Sequence, residues 1–183
     1  MPDELRDDLR DSLRDKRGDP KDTVDRLVES WRRERPDLDV APMQVLSRVT
    51  RLSRHLDRAR RQVFAEHNLE LSEFDVLTAL RRSGPPYLLS PGQLIRETLV
   101  TSGTMTNRVD RLTTKGFVTR EPDPDDRRGV LVRLTGNGRH AVDAAMDGLL
   151  ARERDLLGGL ADAEQGRLAA LLRAVVAPFD QTP

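Results

Sequence analysis

The apolar spacing of the chain changes once, between Gly116 and Thr135, and this change limits the fold more than any other feature. On both sides, apolar residues recur at threes and fours, the spacing of helices with one buried face. Between them, Phe117-Val118-Thr119-Arg120 and Val130-Leu131-Val132-Arg133-Leu134 read as strands. They flank Asp123-Pro124-Asp125-Asp126-Arg127-Arg128-Gly129, a run of turn residues, so the segment predicts a β-hairpin with a charged tip. Upstream, Ser90-Pro91-Gly92-Gln93 carries a complete helix-start signal: a Ser cap, Pro at the first helical position, and Gln three residues after the cap. That helix is short, ending near Thr98. Thr101-Ser102 opens the next, which runs to Lys115 and stops at Gly116. A short helix, a capped helix and a hairpin in that order predict a winged helix-turn-helix. The expected class is mainly α with a two-stranded wing.

The remaining chain predicts helices around this centre. Residues 1–22 are almost all charged, with Leu5, Leu9 and Leu13 each followed by Arg-Asp. They read as a marginally helical tail that Gly18-Asp19-Pro20 breaks. Residues 23–42 form an additional N-terminal helix and linker, with Val24, Leu27, Val28 and Trp31 on one face and Pro36 as the stop. Residues 43–67 form a long helix with Leu46, Val49, Leu52, Leu56, Ala59 and Val63 on one face and many Arg on the other. Leu71-Ser72 opens a helix to about Arg82, with Ser72 as its expected cap. Tyr87-Leu88-Leu89 has the makings of a very short strand. After Thr135, a long helix reaches about Leu157, and a last one carries Leu168, Leu171, Leu172, Val175 and Val176 before Pro178 ends it. Residues 43–67 and 138–178 are thus the expected helical dimerisation region, and 68–137 the winged domain.

The 183 residues hold 31 basic and 31 acidic side chains and no Cys. Disulfides, thiolate catalysis, Cys-based redox sensing and Cys-type zinc sites are therefore ruled out. No apolar run approaches the ~18 residues of a membrane helix, and Met1-Pro2-Asp3-Glu4 does not read as a signal peptide. A cytoplasmic protein without membrane association is expected. His55, His67 and His140 lack metal-ligand spacing, and neither a hydrolytic triad nor a phosphate loop is present. No enzyme activity, cofactor or metal is expected. The zero net charge is a sum of unlike regions. Residues 101–134 carry seven basic and five acidic side chains, whereas the tail carries six basic and eight acidic. Neutrality overall does not exclude a nucleic acid.

The capped helix divides its residues accordingly. At 100° per residue, Met105, Val109 and Leu112 fall within about 60° of one another and face the core. Gly103, Asn107, Asp110, Arg111 and Thr114 lie opposite. A helix in this position places its first turns against base edges in the major groove. Ser102, Gly103, Thr104, Thr106, Asn107 and Arg111 are the candidate DNA contacts, with Thr104 and Asn107 suited to base edges and Arg111 to a guanine or a phosphate. Arg108 lies near Met105 on the wheel and should skirt the protein body. At the hairpin tip, Arg127 and Arg128 suit a minor groove, with Asp126 placed to hold one of them.

Residues 102–135, from Ser-Gly-Thr-Met-Thr-Asn-Arg-Val-Asp-Arg-Leu to Asp-Pro-Asp-Asp-Arg-Arg-Gly-Val-Leu-Val-Arg-Leu-Thr, closely resemble the MarR family of winged-helix repressors. The resemblance spans about residues 40–178. It implies a homodimer built from the long N-terminal helix and the last two helices, holding a palindromic double-stranded DNA operator. The finer pattern resembles the urate-responsive subgroup, which has an extra N-terminal helix with a Trp, an Asp after the dimer helix, and Arg residues in the recognition helix and first wing strand. Trp31, Asp75, Arg108 and Arg120 stand in those places. The resemblance implies that they bind a small-molecule effector, urate or another purine, whose charge disturbs Asp75 and, through Arg108, the recognition helix. The Leu-Arg-Asp tail is not part of the family pattern.

Each of these residues also has a plainer reading. Trp31 suits an apolar helix face, Asp75 a capping box with Ser72, Arg108 a phosphate clamp, and Arg120 a solvated strand. Phenolic or antibiotic-like effectors, or a dimeric module that binds protein instead of DNA, are the competing functions.

Overall fold

The computed structural model describes residues 21–126 and 129–180. The 1–20 part of the charged tail, and Arg127 and Arg128, lie outside the described residues. Helix α1 (Thr23–Glu34) is followed by α2 (Ala41–Glu66), α3 (Leu71–Arg82), β1 (Leu88–Leu89), α4 (Pro91–Thr98), α5 (Ser102–Thr114), β2 (Val118–Pro122), β3 (Val130–Leu134), α6 (Gly136–Leu157) and α7 (Asp162–Asp180). The chain divides into two compact units, one up to His55 and one from Leu56.

In the first unit, α1 is set by its cap. The Asp22 carboxylate accepts from the backbone N–H of Val24 and of Asp25, and the Asp25 side chain returns the bond to the Asp22 N–H. Val24 and Val28, one turn apart, pack with Val40 and Met43 in a small core. Arg48 of α2 joins this cap, donating to Asp22 at 3.0 Å and to Asp25 at 2.8 Å.

In the second unit, the core draws Phe64 from α2, Phe74, Leu77 and Leu80 from α3, Leu94 from α4, Met105, Val109 and Leu112 from α5, and Val142 and Ala145 from α6. Phe64 and Phe74 stack at 4.2 Å between ring centres. Helix ends follow their local chemistry. At α2, Asn68 takes a left-handed backbone, and Leu69 N–H reaches back to Phe64 O at 2.8 Å. Gly116 does the same after α5, with Phe117 N–H bonded to Leu112 O at 3.0 Å. Both are Schellman closures. Ser90 and Gln93 form the expected capping box of α4.

Three details differ from the sequence reading. The cap of α3 is Glu70, not Ser72: Glu73 stands three residues on and accepts from the Glu70 N–H at 2.8 Å, leaving Ser72 inside the first turn. Pro178 lies within α7, which continues to Asp180. A proline there has no N–H for the Ala174 carbonyl, so the helix passes through it with one bond fewer. The wing also gains a third strand. β1 pairs antiparallel with β3, placing Leu88 opposite Arg133 and Leu89 opposite Val132. β2 pairs with β3's other edge, placing Val118 opposite Leu134 and Arg120 opposite Val132. The sheet order is therefore β1-β3-β2.

Two contacts fix the wing to the helices. Arg133 bridges Glu121 across the strands and donates to Pro86 O at 3.1 Å. Thr135, the cap of α6, donates its hydroxyl to Gly116 O at 2.8 Å and accepts from Gly138 N–H at 3.0 Å. Gly138 lies so close to the Phe117 carbonyl that a Cβ there would overlap it.

Candidate functional site

Helices α4 and α5 are joined by a tight corner at Leu99, a residue with a left-handed backbone, φ 52°, that is 91% exposed. The corner sets α5 across the front of the winged unit. Met105, Val109 and Leu112 anchor it in the core, as their spacing requires. Ser102, Gly103, Thr104, Thr106 and Asn107 are all exposed along its leading turns. The Thr101 and Thr104 hydroxyls share a bond of 3.0 Å at its start, and the Thr106 hydroxyl donates to Ser102 O. Gly103 has no neighbour within 4 Å of where a Cβ would stand, so this face is open. A row of short hydroxyl and amide side chains on an open helix face can donate to and accept from base edges without the desolvation cost of long charged ones.

The cations nearest this face are held by carboxylates. Arg111 pairs with Glu70 at 3.1 Å and approaches Glu73 at 3.7 Å. Lys115 lies on Glu73 at 2.7 Å. Arg120 of β2 pairs with Asp110 of α5 at 2.6 Å, and so joins the wing to the helix. A recess of about 560 Å³ between the start of α3 and α5 is lined by Ser72, Thr104, Asn107, Arg108, Asp110 and Arg111. Asp126 is exposed at the hairpin tip and accepts from the Gly129 N–H through its carbonyl at 2.8 Å.

Asp75 lies one turn beyond the cap of α3. The residue as a whole is exposed, but its carboxyl group is set into a recess. Burial raises its pKa above the ordinary aspartate value, against the opposing pull of Arg108 and Arg60. Arg108 itself is half-buried, and its Nη1 is buried with no hydrogen-bond partner. The recess of about 410 Å³ beside Asp75 has Phe74, Leu99 and Met146 as apolar walls and Thr78, Arg82, Glu97 and Thr98 as polar ones. That size falls within the range of small-molecule sites, and the lining is more polar than in most of them.

The structure therefore brings Asp75 and Arg108 within electrostatic range, though they line different recesses, and it places Arg120 on Asp110 of α5, the helix that carries Arg108. Trp31, 42% exposed on α1, belongs to the first unit. Sequence reasoning missed Arg60, Glu70, Glu73 and Lys115. The Glu70-x-x-Glu73 spacing was a legible cap signal that Ser72 obscured. Arg60 was hidden among the many arginines of α2.

Among the described residues no helix is long and apolar enough to cross a membrane. Residues 67–129 match the model of the MarR family. The transcriptional regulator PecS of Dickeya dadantii is 40% identical over 152 residues, covering 83% of this chain and 92% of that protein. Two solved structures share the fold at similar distance. A mutant MarR of Escherichia coli, complexed with operator DNA, has 27% identity and a TM-score of 0.62, and the match covers 76% of this chain and 99% of that one. Bordetella bronchiseptica BpsR, whose DNA binding is regulated by 6-hydroxynicotinic acid, has 26% identity and a TM-score of 0.63, and the match covers 80% of this chain and 99% of that one. These relatives and this fold are those of transcriptional regulators, not of enzymes. The chain belongs to the MarR family of DNA-binding winged-helix transcriptional regulators.

Proposed function

We propose that the protein is a cytoplasmic repressor that binds a palindromic operator as a homodimer and is released by urate or a related purine. The open polar face of α5 carries this reading. Ser102, Gly103, Thr104, Thr106 and Asn107 would lie in the major groove, with Arg111 on a guanine or phosphate and Asp126, Arg127 and Arg128 at the minor groove.

A second copy is needed by the apolar surface. On α7, Leu171 is 59% and Phe179 76% exposed, with Val175 and Val176 beside them; on α2, Leu46 is 56% exposed, with Val49 and Leu52 in line. Stripes of this length on single chains mark association surfaces. Two-fold pairing would set the recognition helices about one DNA turn apart.

The effector reading rests on Asp75 and Arg108. A buried guanidinium nitrogen without a partner and a carboxyl whose charge is already disfavoured form a poised pair. A planar anion entering here would satisfy Arg108 and repel Asp75, since like charges a few ångströms apart interact strongly in a partly dry site. Arg120 would supply a second cation by leaving Asp110, and Trp31 is proposed as an effector contact from α1. Both movements act on α5, so the effector would favour a conformation that fits DNA poorly. The regulation of BpsR by 6-hydroxynicotinic acid, itself a planar heteroaromatic acid, supports this class of ligand.

The test begins with selection of duplexes from a random pool by the full chain, which should return an inverted repeat. Urate, xanthine, 6-hydroxynicotinate and salicylate are then titrated into the selected complex. Release by a purine at micromolar to millimolar concentration supports the ligand. Release by salicylate or 6-hydroxynicotinate alone moves the assignment to phenolic or nicotinic acids. No selected sequence at all would remove the DNA reading.

A further inference from the structure

Glu73 is the buried charged residue among the described residues, with 0% exposure, and neither the groove contacts nor the effector pair uses it. Phe74 and Leu77 of its own helix, and Val109 and Leu112 of α5, are core residues. One carboxylate oxygen, Oε2, accepts from Lys115 Nζ at 2.7 Å and from the Glu70 N–H at 2.8 Å. The other, Oε1, is buried without a hydrogen bond, and Arg111 Nε approaches it to 3.7 Å. Lys115 also donates to the carbonyl of Asn68 at 2.9 Å. One buried charge thus gathers three places: the left-handed corner after α2, the first turn of α3, and the last turn of α5.

A helix cap does not require this. Gln at the same position could bond the Glu70 N–H without bringing a charge indoors. Replacing buried ion pairs by apolar residues is often neutral or stabilising, so a buried pair is weak evidence for a stability role and better evidence for a directional one. The direction here concerns α5. Arg111 and Lys115 are four residues apart and present both cations to Glu73 on one helix face. Asn107 lies eight residues from Lys115, about 12 Å along the axis. A tilt of about 10° at the anchored end would therefore displace Asn107 by roughly 2 Å. Positioned sites tolerate only about 0.5 Å.

We propose that Glu73 is a positioning residue that fixes the tilt of the recognition helix, through Lys115, against the corner between α2 and α3. This rests on the DNA-binding reading of α5. It adds that operator discrimination, more than affinity for DNA as such, depends on a residue that touches no DNA.

The test uses the full chain with a selected operator duplex and a scrambled duplex of equal length, together with the thermal midpoint of each variant. Glu73→Gln should lower operator affinity about tenfold or more and change scrambled-duplex affinity less than twofold. The apolar pair Glu73→Leu with Lys115→Met should recover the wild-type midpoint and still discriminate about tenfold less well. Recovery of discrimination together with the midpoint would overturn the proposal, as would an unchanged ratio in Glu73→Gln. If Glu73→Gln does not fold, the apolar pair decides alone: folded with wild-type discrimination, it refutes the positioning role. Failure of the wild-type chain to prefer any operator is a different result and removes the DNA reading itself.

Discussion

Glu70→Gln should tighten DNA binding. Arg111 faces the proposed groove, yet its guanidinium is bound to the Glu70 carboxylate at 3.1 Å. The two side chains are 48% and 60% exposed, so water screens the pair strongly. Exposed pairs of this kind are worth about 0.2–1 kcal/mol. DNA must overcome that amount in each protomer to recruit Arg111, so in the dimer Glu70→Gln should raise operator affinity about 2- to 30-fold. If Arg111 then neutralises one more phosphate per protomer, the salt slope should steepen by about 0.9 for each. Removing a carboxylate near DNA also helps through bulk charge, and the double variant separates the two effects. Fluorescence anisotropy of a selected operator at four salt concentrations would measure wild type, Glu70→Gln, Arg111→Ala and the double variant. In the Arg111→Ala background the expected gain shrinks to the bulk-charge part alone. An equal gain in both backgrounds would refute the idea that Glu70 restrains Arg111, and an unchanged Glu70→Gln would show that the pair opens freely.

Three further outcomes follow from other parts of the structure. Gly138→Ala forces a Cβ onto the Phe117 carbonyl and to 2.9 Å from Leu134 Cδ1. Overpacking of this kind costs about 1–3 kcal/mol, and at roughly 2–4 °C per kcal/mol for a chain this long the thermal midpoint should fall by about 2–12 °C; no change would mean that α6 shifts freely. Asp75→Asn should abolish the effector response. Because burial raises the Asp75 pKa, its favourable contribution is complete below the unfolded pKa and is lost as pH rises through the folded value. The variant's midpoint should therefore match or exceed wild type at pH 7 and converge with it in acid, and a clearly lower midpoint at pH 7 would contradict the burial argument. Asp22 behaves oppositely. Backbone bonding, chiefly from the Asp25 N–H, and the nearby Arg48 lower its pKa despite some desolvation. Its stabilisation of α1 is present above the unfolded pKa and lost as pH falls through the folded value. Trp31 emission should report an acid-induced change in α1 that weakens in Asp22→Ser, where the cap remains but the charge does not.

The fold was legible where one local signal decides an element. Ser90-Pro91-Gly92-Gln93 specified α4 to its cap atoms, and the change of period at Phe117 specified the hairpin. The 100° wheel placed Met105, Val109 and Leu112 correctly in the core. It also anticipated that Arg108 would skirt the body, as its half-buried guanidinium does. Legibility failed where two local signals compete or where partners lie far apart in sequence. Ser72 and Glu70 both suit a cap, and Glu70 wins because Glu73 can turn inward toward Lys115, 42 residues away. Leu88-Leu89 was legible as a short strand, but its pairing with β3, more than 40 residues on, was not. The pairing of Arg120 with Asp110 joins a strand to a helix and leaves no periodic trace.

The same pairing logic changes what charge implies about DNA. Counting side chains gives the winged region an excess of positive charge, but most of its described cations are committed within the protein. Arg111 is held by Glu70, Arg120 by Asp110, Arg133 by Glu121 and Lys115 by Glu73. An ion pair that survives binding releases no counterion, so only unpaired cations contribute to salt dependence. A dimer engaging about two phosphates per protomer would show a slope of log affinity against log salt on the order of −4. A slope twice as steep would mean that the internal pairs open on DNA and that phosphate attraction dominates recognition. A shallow slope, together with strong preference for a selected operator, would place recognition in the fit of α5 to the groove. In that case an effector need only tilt the helix, without overcoming a large electrostatic attraction, to release the protein.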